Sequence, residues 1–287
     1  MPGPSEGEHG MLQTSIGHER ESPARRGRKG VSDAETRGEL EEKYRKVAEE
    51  YRRDDEIEVR TDHHCWIWKT LSDLCSSFER EISVLDAGCG TGRHFHCLKD
   101  VKRLVGLDLS PEMLRAAQAP IRQEMISPRE VELVCGDFHS VSFPSGSFDL
   151  IYSLGMFGYG CELTVDVLNR FREWLTPGGL LFFDISNSSG VQLDLRMRAA
   201  LRKILTPMLP ARARKPRDVQ FHHVSRRQLA RLLRQSAFCD WEIYRRPCHS
   251  PCWSVDKFEC LAARGELSPE LVDTLRFRAS APLAGLA

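Results

Sequence analysis

The sequence predicts a doubly wound α/β fold: a mostly parallel, seven-stranded sheet with helices on both faces and a helical cover. Three observations carry this. From residue 80 onward, short β-branched apolar runs alternate with helical patterns, the order that βαβ units produce. The first run, Ile82 to Leu85, ends in Asp86 and then in the turn Gly88-Cys89-Gly90-Thr91-Gly92. The second, Leu104 to Leu107, ends in Asp108, about twenty residues beyond that turn, where an acid can accept hydrogen bonds from a ribose diol.

The 287 residues are enough for one large α/β domain with an appendage, and 41 basic residues balance 41 acidic ones. That balance argues against a general nucleic-acid binder. No apolar run is long enough to span a membrane, and the N-terminus lacks a signal peptide's apolar core. The 10 cysteines therefore read as reduced thiols of a cytoplasmic protein.

Residues 1–38 are rich in Gly, Pro, Ser, Glu and Arg and nearly free of aromatics, so they read as a disordered tail; Arg25-Arg26-Gly27-Arg28-Lys29 belongs to it. Residues 39–80 form a helical cap. Leu40, Tyr44, Val47 and Tyr51 recur at helical steps over Glu39 to Arg53, and a second helix covers Cys65 to Phe78. The main domain spans 81–265. After the glycine turn a helix should run through Leu98; in a helix the two-residue step from His94 to His96 splits their faces, so no metal chelate is expected there, nor at His63-His64-Cys65. Ser110-Pro111-Glu112 starts the next helix, with serine as cap.

Further strands are expected at Val131 to Val134, Phe148 to Ser153 and Leu180 to Ile185, with a helix from Leu163 to Trp174 before the last of these. The segment after Ser153, with Phe157 and Tyr159 among three glycines, leaves the sheet at its carboxyl edge and offers a pocket wall. Residues 186–219 form a basic helical insertion, placed as a lid. A helix runs from His222 to about Gln235. Trp241 to Tyr244 and Phe258 to Ala262 are the last strands, joined through Cys248-His249-Ser250-Pro251-Cys252. Residues 266–287 hold a short helix and a tail.

Spacing decides which nucleotide the turn suits. The dinucleotide fingerprint Gly-x-Gly-x-x-Gly needs glycine at position 93, which is Arg93. Instead, Asp86-x-Gly88-x-Gly90-x-Gly92, Asp108-x-Ser110-x-x-Met113, Gly136-Asp137, Phe148-Asp149 and Leu175-x-Pro177-Gly178-Gly179 resemble, in order and spacing, the class I S-adenosylmethionine-dependent methyltransferases over roughly residues 80–185. The resemblance implies a last strand running antiparallel and S-adenosylmethionine as cofactor. It carries the cofactor contacts onto Asp86, Gly88, Cys89, Gly90, Asp108, Leu109, Met113, Asp137, Phe138 and Ser153. In that family an N-terminal helix closes over cofactor and substrate, which points to Tyr44 or Tyr51; Tyr51, Phe157 and Tyr159 are the substrate candidates. In such chemistry the cofactor carries the activated methyl group, and the protein supplies position and water exclusion. Tyr159, His63, His64, His222 and His223 are candidate bases if the acceptor needs one. Ser153-Leu154-Gly155-Met156 lacks the motif of enzymes that methylate base amino groups, so a small-molecule acceptor leads. RNA, held by the basic insertion, is the alternative acceptor, and a non-catalytic scaffold is the third reading.

Overall fold

In a computed structural model the chain is described over residues 13–14, 48–158, 161–188, 222–249 and 254–280. The strands are β1 (Gln13–Thr14), β2 (Ile82–Ala87), β3 (Val101–Asp108), β4 (Glu130–Cys135), β5 (Phe148–Phe157), β6 (Leu175–Ser186), β7 (Asp240–His249) and β8 (Ser254–Ala263). The helices are α1 (48–58), α2 (Asp62–Ser76), α3 (Pro111–Ala117), α4 (Val165–Trp174), α5 (Arg226–Gln235) and α6 (Pro269–Ser280). The sheet order is β1-β4-β3-β2-β5-β6-β8-β7. β2 to β6 run parallel, and β8 is antiparallel to both of its neighbours, β6 and β7.

The seven expected strands are all present, with longer ends. One addition comes from the tail: Gln13 and Thr14 pair with Glu132 and Leu133 at the sheet edge, where backbone groups alone make the bond and no apolar pattern announces it. The centre is β2, buried along its whole length, which is why it reads as a continuous apolar run. One face of the sheet packs Leu71, Leu74, Leu271 and Leu275 from α2 and α6. The other packs Leu168, Phe171, Trp174, Leu229 and Leu233 from α4 and α5. No helix among the described residues is long and apolar enough to cross a membrane.

Two expectations need correction. No α-helix follows the glycine turn. Residues 92–98 are tied by close-range bonds (Phe95 N–H to Gly92 O, 3.1 Å; Cys97 N–H to His94 O, 2.9 Å) into one turn of 3-10 helix, Phe95–Cys97. A Cβ on Gly92 would lie 2.8 Å from the Phe95 ring, so that ring already fills the space a wider turn would need. Second, β5 does not end at Ser153. It continues through an irregular stretch to Phe157, whose partner is Ile185. The ring of Phe157 is then 2% exposed and packs on Phe171 and Phe183, so it is core rather than pocket wall. The insertion is outside the described residues from 189 to 221. Its flanks meet at one point, where Ser188 N–H bonds Val224 O (2.9 Å) and Val224 N–H bonds Ser186 O (3.1 Å).

The amino edge of the sheet is tied by Asp149. Its carboxylate accepts from Ser83 N–H (2.8 Å), from the Thr176 hydroxyl (3.0 Å) and from Arg80 (2.8 Å), joining β2, β5 and the start of β6. Burial alone would push this carboxyl up, but the three donors outweigh it and hold it below the ordinary carboxylate value. Arg80 is half exposed, so the two less solvated donors carry most of the bond energy. A depressed folded-state pKa contributes stability that is present above the unfolded value of about 3.9 and is lost as pH falls through the folded one. Urea unfolding of Asp149→Asn at neutral pH should therefore show a loss of about 1–3 kcal/mol, and the gap to wild type should narrow as pH falls below the unfolded carboxyl value of about 3.9.

Candidate functional site

The glycine turn is built by backbone geometry. Gly88 and Gly90 sit at φ +81° and +54°, a region costly for any side chain. A Cβ on Gly88 would lie 3.0 Å from Met156 Sδ, whereas the same position on Gly90 meets nothing within 4 Å. The turn is thus tight on the sheet side and open at Gly90. The end of β3 holds it there: Asp108 accepts from Gly90 N–H (2.8 Å) through one carboxylate oxygen and from Ser110 N–H (2.9 Å) through the other. Burial raises the Asp108 carboxyl, and these backbone donors oppose the rise. The Leu109 N–H bonds the same carboxylate, so three backbone donors take most of its acceptor sites and the remainder is left for an outside donor. Ser110 caps α3 by accepting from Met113 N–H (3.3 Å).

The other proposed cofactor residues divide by burial. Asp86 is 2% exposed and enclosed in the sheet; burial pushes its carboxyl up to about 8, and the neighbouring Tyr152 and Arg93 offset this only in part. Cys89 is buried with its thiol driven well up by burial. Met113 is 2% exposed, which makes it a core residue. The buried Ser153 hydroxyl donates to Ala87 O (2.8 Å) and ties β5 to β2. Leu109 is half-buried, directly after Asp108. Asp137 accepts from His139 N–H (2.9 Å) in a turn, and Phe138 is half-buried against Phe171.

Above the turn lies a cavity lined by Glu58, His63, His64, Arg93, Gly155 and Asp184, with Lys257 at its rim. Three things shape it. Thr61 caps α2 by accepting from His64 N–H (3.1 Å), which sets His63 and His64 in the first turn of that helix. The bulge in β5 lets Gly155 N–H reach Asp184 (2.6 Å), and Asp184 pairs with Lys257 (2.5 Å) across β6 and β8. Finally, α1 clamps the turn: the Thr91 hydroxyl donates to the buried Asp55, Arg93 lies 3.3 Å from the same carboxylate, and Arg52 donates to Ala116 O on α3 (3.0 Å). Burial raises the Asp55 carboxyl against the pull of Arg93 and Thr91.

Of the expected substrate and base residues, His63 and His64 line the cavity, and Tyr51 is half-buried on α1. His222 and His223 flank the return of the insertion, His222 N–H bonding Gly158 O (3.1 Å); neither lines the cavity. Tyr159 and Tyr44 lie outside the described residues. Sequence reasoning did not single out Asp55, Glu58, Arg93, Asp184 or Lys257. Arg93 follows the turn directly and could have been found, whereas the acids of α1 carry no local signal apart from their helical setting.

His94 and His96 were expected to diverge along a helix. In the tight turn that forms instead, His64 Nε2 lies 3.0 Å from His96 Nε2, and His94 stacks on His64 at 5.9 Å. Burial drives all three imidazoles down, His64 to about 3 and His96 to about 4, with nearby arginines adding to the effect.

Because Asp55 is the anchor of α1, Asp55→Ala should free that helix. Limited proteolysis within residues 48–58 should accelerate while the sheet core keeps its protection, and global stability should fall by about 1–2 kcal/mol.

Comparison with known proteins agrees with this geometry. Residues 84–179 match the family described as a methyltransferase domain. A demethylmenaquinone methyltransferase of Lactococcus lactis subsp. lactis is 29% identical over 150 residues, covering 49% of this chain and 55% of the relative. A tRNA U34 carboxymethyltransferase of Shewanella piezotolerans is 28% identical over 140 residues, covering 45% of this chain and 38% of the relative. The chain spans about half the length of these curated relatives, or less. A methyltransferase solved in complex with a Haloferax volcanii methyltransferase activator superposes with a TM-score of 0.51 at 17% identity, covering 78% of this chain and 98% of that one; at that identity the likeness speaks for the fold alone. The sheet order and the glycine turn agree with a methyltransferase domain over the matched residues 84–179.

Proposed function

We propose that this chain transfers a methyl group from S-adenosylmethionine to a small-molecule acceptor held in the cavity beneath α1 and α2. One observation carries the reading. The glycine turn, open at Gly90 and held by Asp108, runs directly into Arg93 and His94, which line a cavity that mixes carboxylates, cations and imidazoles. The space beside Gly90 and the spare lone pairs of Asp108 suit a ribose diol. Leu109, Asp137 and Phe138 line up as the adenine end, while Asp86, Cys89, Met113 and Ser153 act from behind by holding strand ends in place. When bound, the cofactor supplies a methyl group already activated on a sulfonium.

What this chain's residues do is position and exclude. α1 and α2 roof the cavity. The Asp184–Lys257 pair and Arg93 offer both signs of charge to a polar acceptor. His63 takes the role of base: it lines the cavity, while His64 is engaged with His96 and His223 is outside the lining.

Calorimetric titration with S-adenosylmethionine tests the cofactor. Micromolar binding is expected, weakened by about 1–3 kcal/mol in Asp108→Ala; no binding by folded protein refutes the proposal. Once an acceptor is found by screening, His63→Gln should lower kcat ~10²–10⁴-fold with cofactor affinity nearly unchanged.

A second reading has a specific basis in the tRNA-modifying relative and the basic stretch from Arg196 to Arg217. It predicts salt-dependent retention of tRNA, because phosphate contacts release counterions. Absence of retention at low salt removes it.

A further inference from the structure

Beside the cavity, and sharing His64 with its lining, the described residues bring together a cluster that the proposed methyl transfer does not use. His64 projects from the first turn of α2, and His96 and Cys97 come from the 3-10 turn after the glycines. All three are buried. The two Nε2 atoms are 3.0 Å apart, and Cys97 Sγ lies 3.9 Å from His64 Nε2 and 3.8 Å from His96 Nε2. Adjacent residues rarely aim at one point, but the tight turn gives His96 and Cys97 a common direction that a longer helix would have denied them.

We propose that His64, His96 and Cys97 form a three-ligand site for a borderline-soft divalent cation, Zn2+ by its donor set, which pins α2 to the turn that carries the cofactor glycines. Two imidazoles and a thiolate are a zinc donor set, and three protein ligands leave one position of a tetrahedral centre open. With ordinary zinc–ligand lengths, a tetrahedral centre separates its nitrogens by about 3.3 Å and each nitrogen from sulfur by about 3.6 Å. The observed triangle differs from that by a few tenths of an ångström on each side. Binding to the thiolate releases the thiol proton to solvent, leaving one negative charge against the ion's two positive ones.

Arg122 is the unfavourable neighbour, its Nη1 being 3.5 Å from His96 Nε2. It is held from behind by Val59 O (2.9 Å) and lies over the Trp68 ring, so it has partners of its own once the ion takes that nitrogen. The charge of Glu124 also reaches His96 and opposes Arg122. Without an ion the same atoms form a histidine–histidine hydrogen bond, which is the competing account.

This proposal does not depend on the identity of the acceptor, or on catalysis. The full-length protein, stripped with a chelator, should be titrated with Co2+. One ion per chain is expected, with thiolate-to-cobalt charge-transfer absorption in the near ultraviolet, d–d bands of tetrahedral intensity, and displacement by Zn2+. Cys97→Ser should abolish the charge-transfer absorption and weaken Zn2+ at least ~tenfold. His64→Gln should keep the charge-transfer absorption but shift the d–d bands and weaken binding similarly, which preserves the test if the buried serine misfolds. The double variant Cys248→Ser/Cys252→Ser should leave both unchanged. The proposal is overturned by absence of stoichiometric binding, by charge-transfer absorption that persists in Cys97→Ser, or by its loss in the Cys248/Cys252 variant.

Discussion

The hydrogen bond from Gly90 N–H to the Asp108 carboxylate (2.8 Å) is the constraint on which the site depends. It joins the turn after the central strand to the end of its neighbour, so two βα units share one acid. It works with Leu107 O, which takes the N–H groups of Gly88 and Cys89 (2.8 and 3.0 Å), to offset the conformational freedom that glycines lose on ordering. The second oxygen of Asp108 takes the N–H at the start of α3, so helix entry and turn position are settled by the same carboxylate. An acid at this place has a folding role before any ligand arrives, and the lone pairs left over give it a binding role afterwards.

The roof depends on a second buried acid. Asp55 reaches down from α1 to the hydroxyl of Thr91 and towards Arg93, next to the glycines. Burial raises this carboxyl, and the neighbouring guanidinium opposes the rise. The far wall is closed by Asp184, which binds Gly155 N–H and Lys257 at once. Turn, roof and wall are therefore each held by one carboxylate serving two partners. All three lie at the carboxyl edge of the parallel strands, where doubly wound sheets place ligands.

The contrast with Asp149 is instructive. It belongs to the motif set that signals the family, yet it sits at the opposite edge and joins β2, β5 and β6 through three donors. A motif residue can thus recur because the sheet needs it. Phe157 makes the same point: a ring in a glycine-rich segment at the right edge packs inward on Phe171 and Phe183, since the apolar area it buries outweighs any advantage of lining a polar cavity.

Much of this was legible in the chain alone. The parallel sheet follows from alternating apolar runs, because burial on both faces forces a continuous apolar pattern, and the antiparallel β8 from the family resemblance. The glycine turn and Asp108 were legible too, since backbone conformation and motif spacing are local properties. What the sequence by itself could not determine is which side chains meet. Asp55 and Thr91 are 36 positions apart, and Asp184 and Lys257 are 73 apart; only packing brings such pairs within reach. Periodicity also misjudged the stretch after the turn. A pattern read as α-helix is a 3-10 turn, with the Phe95 ring packed close beside Gly92. That change in pitch points His96 and Cys97 at His64, a convergence set by three-dimensional packing and invisible to a rule of residue spacing.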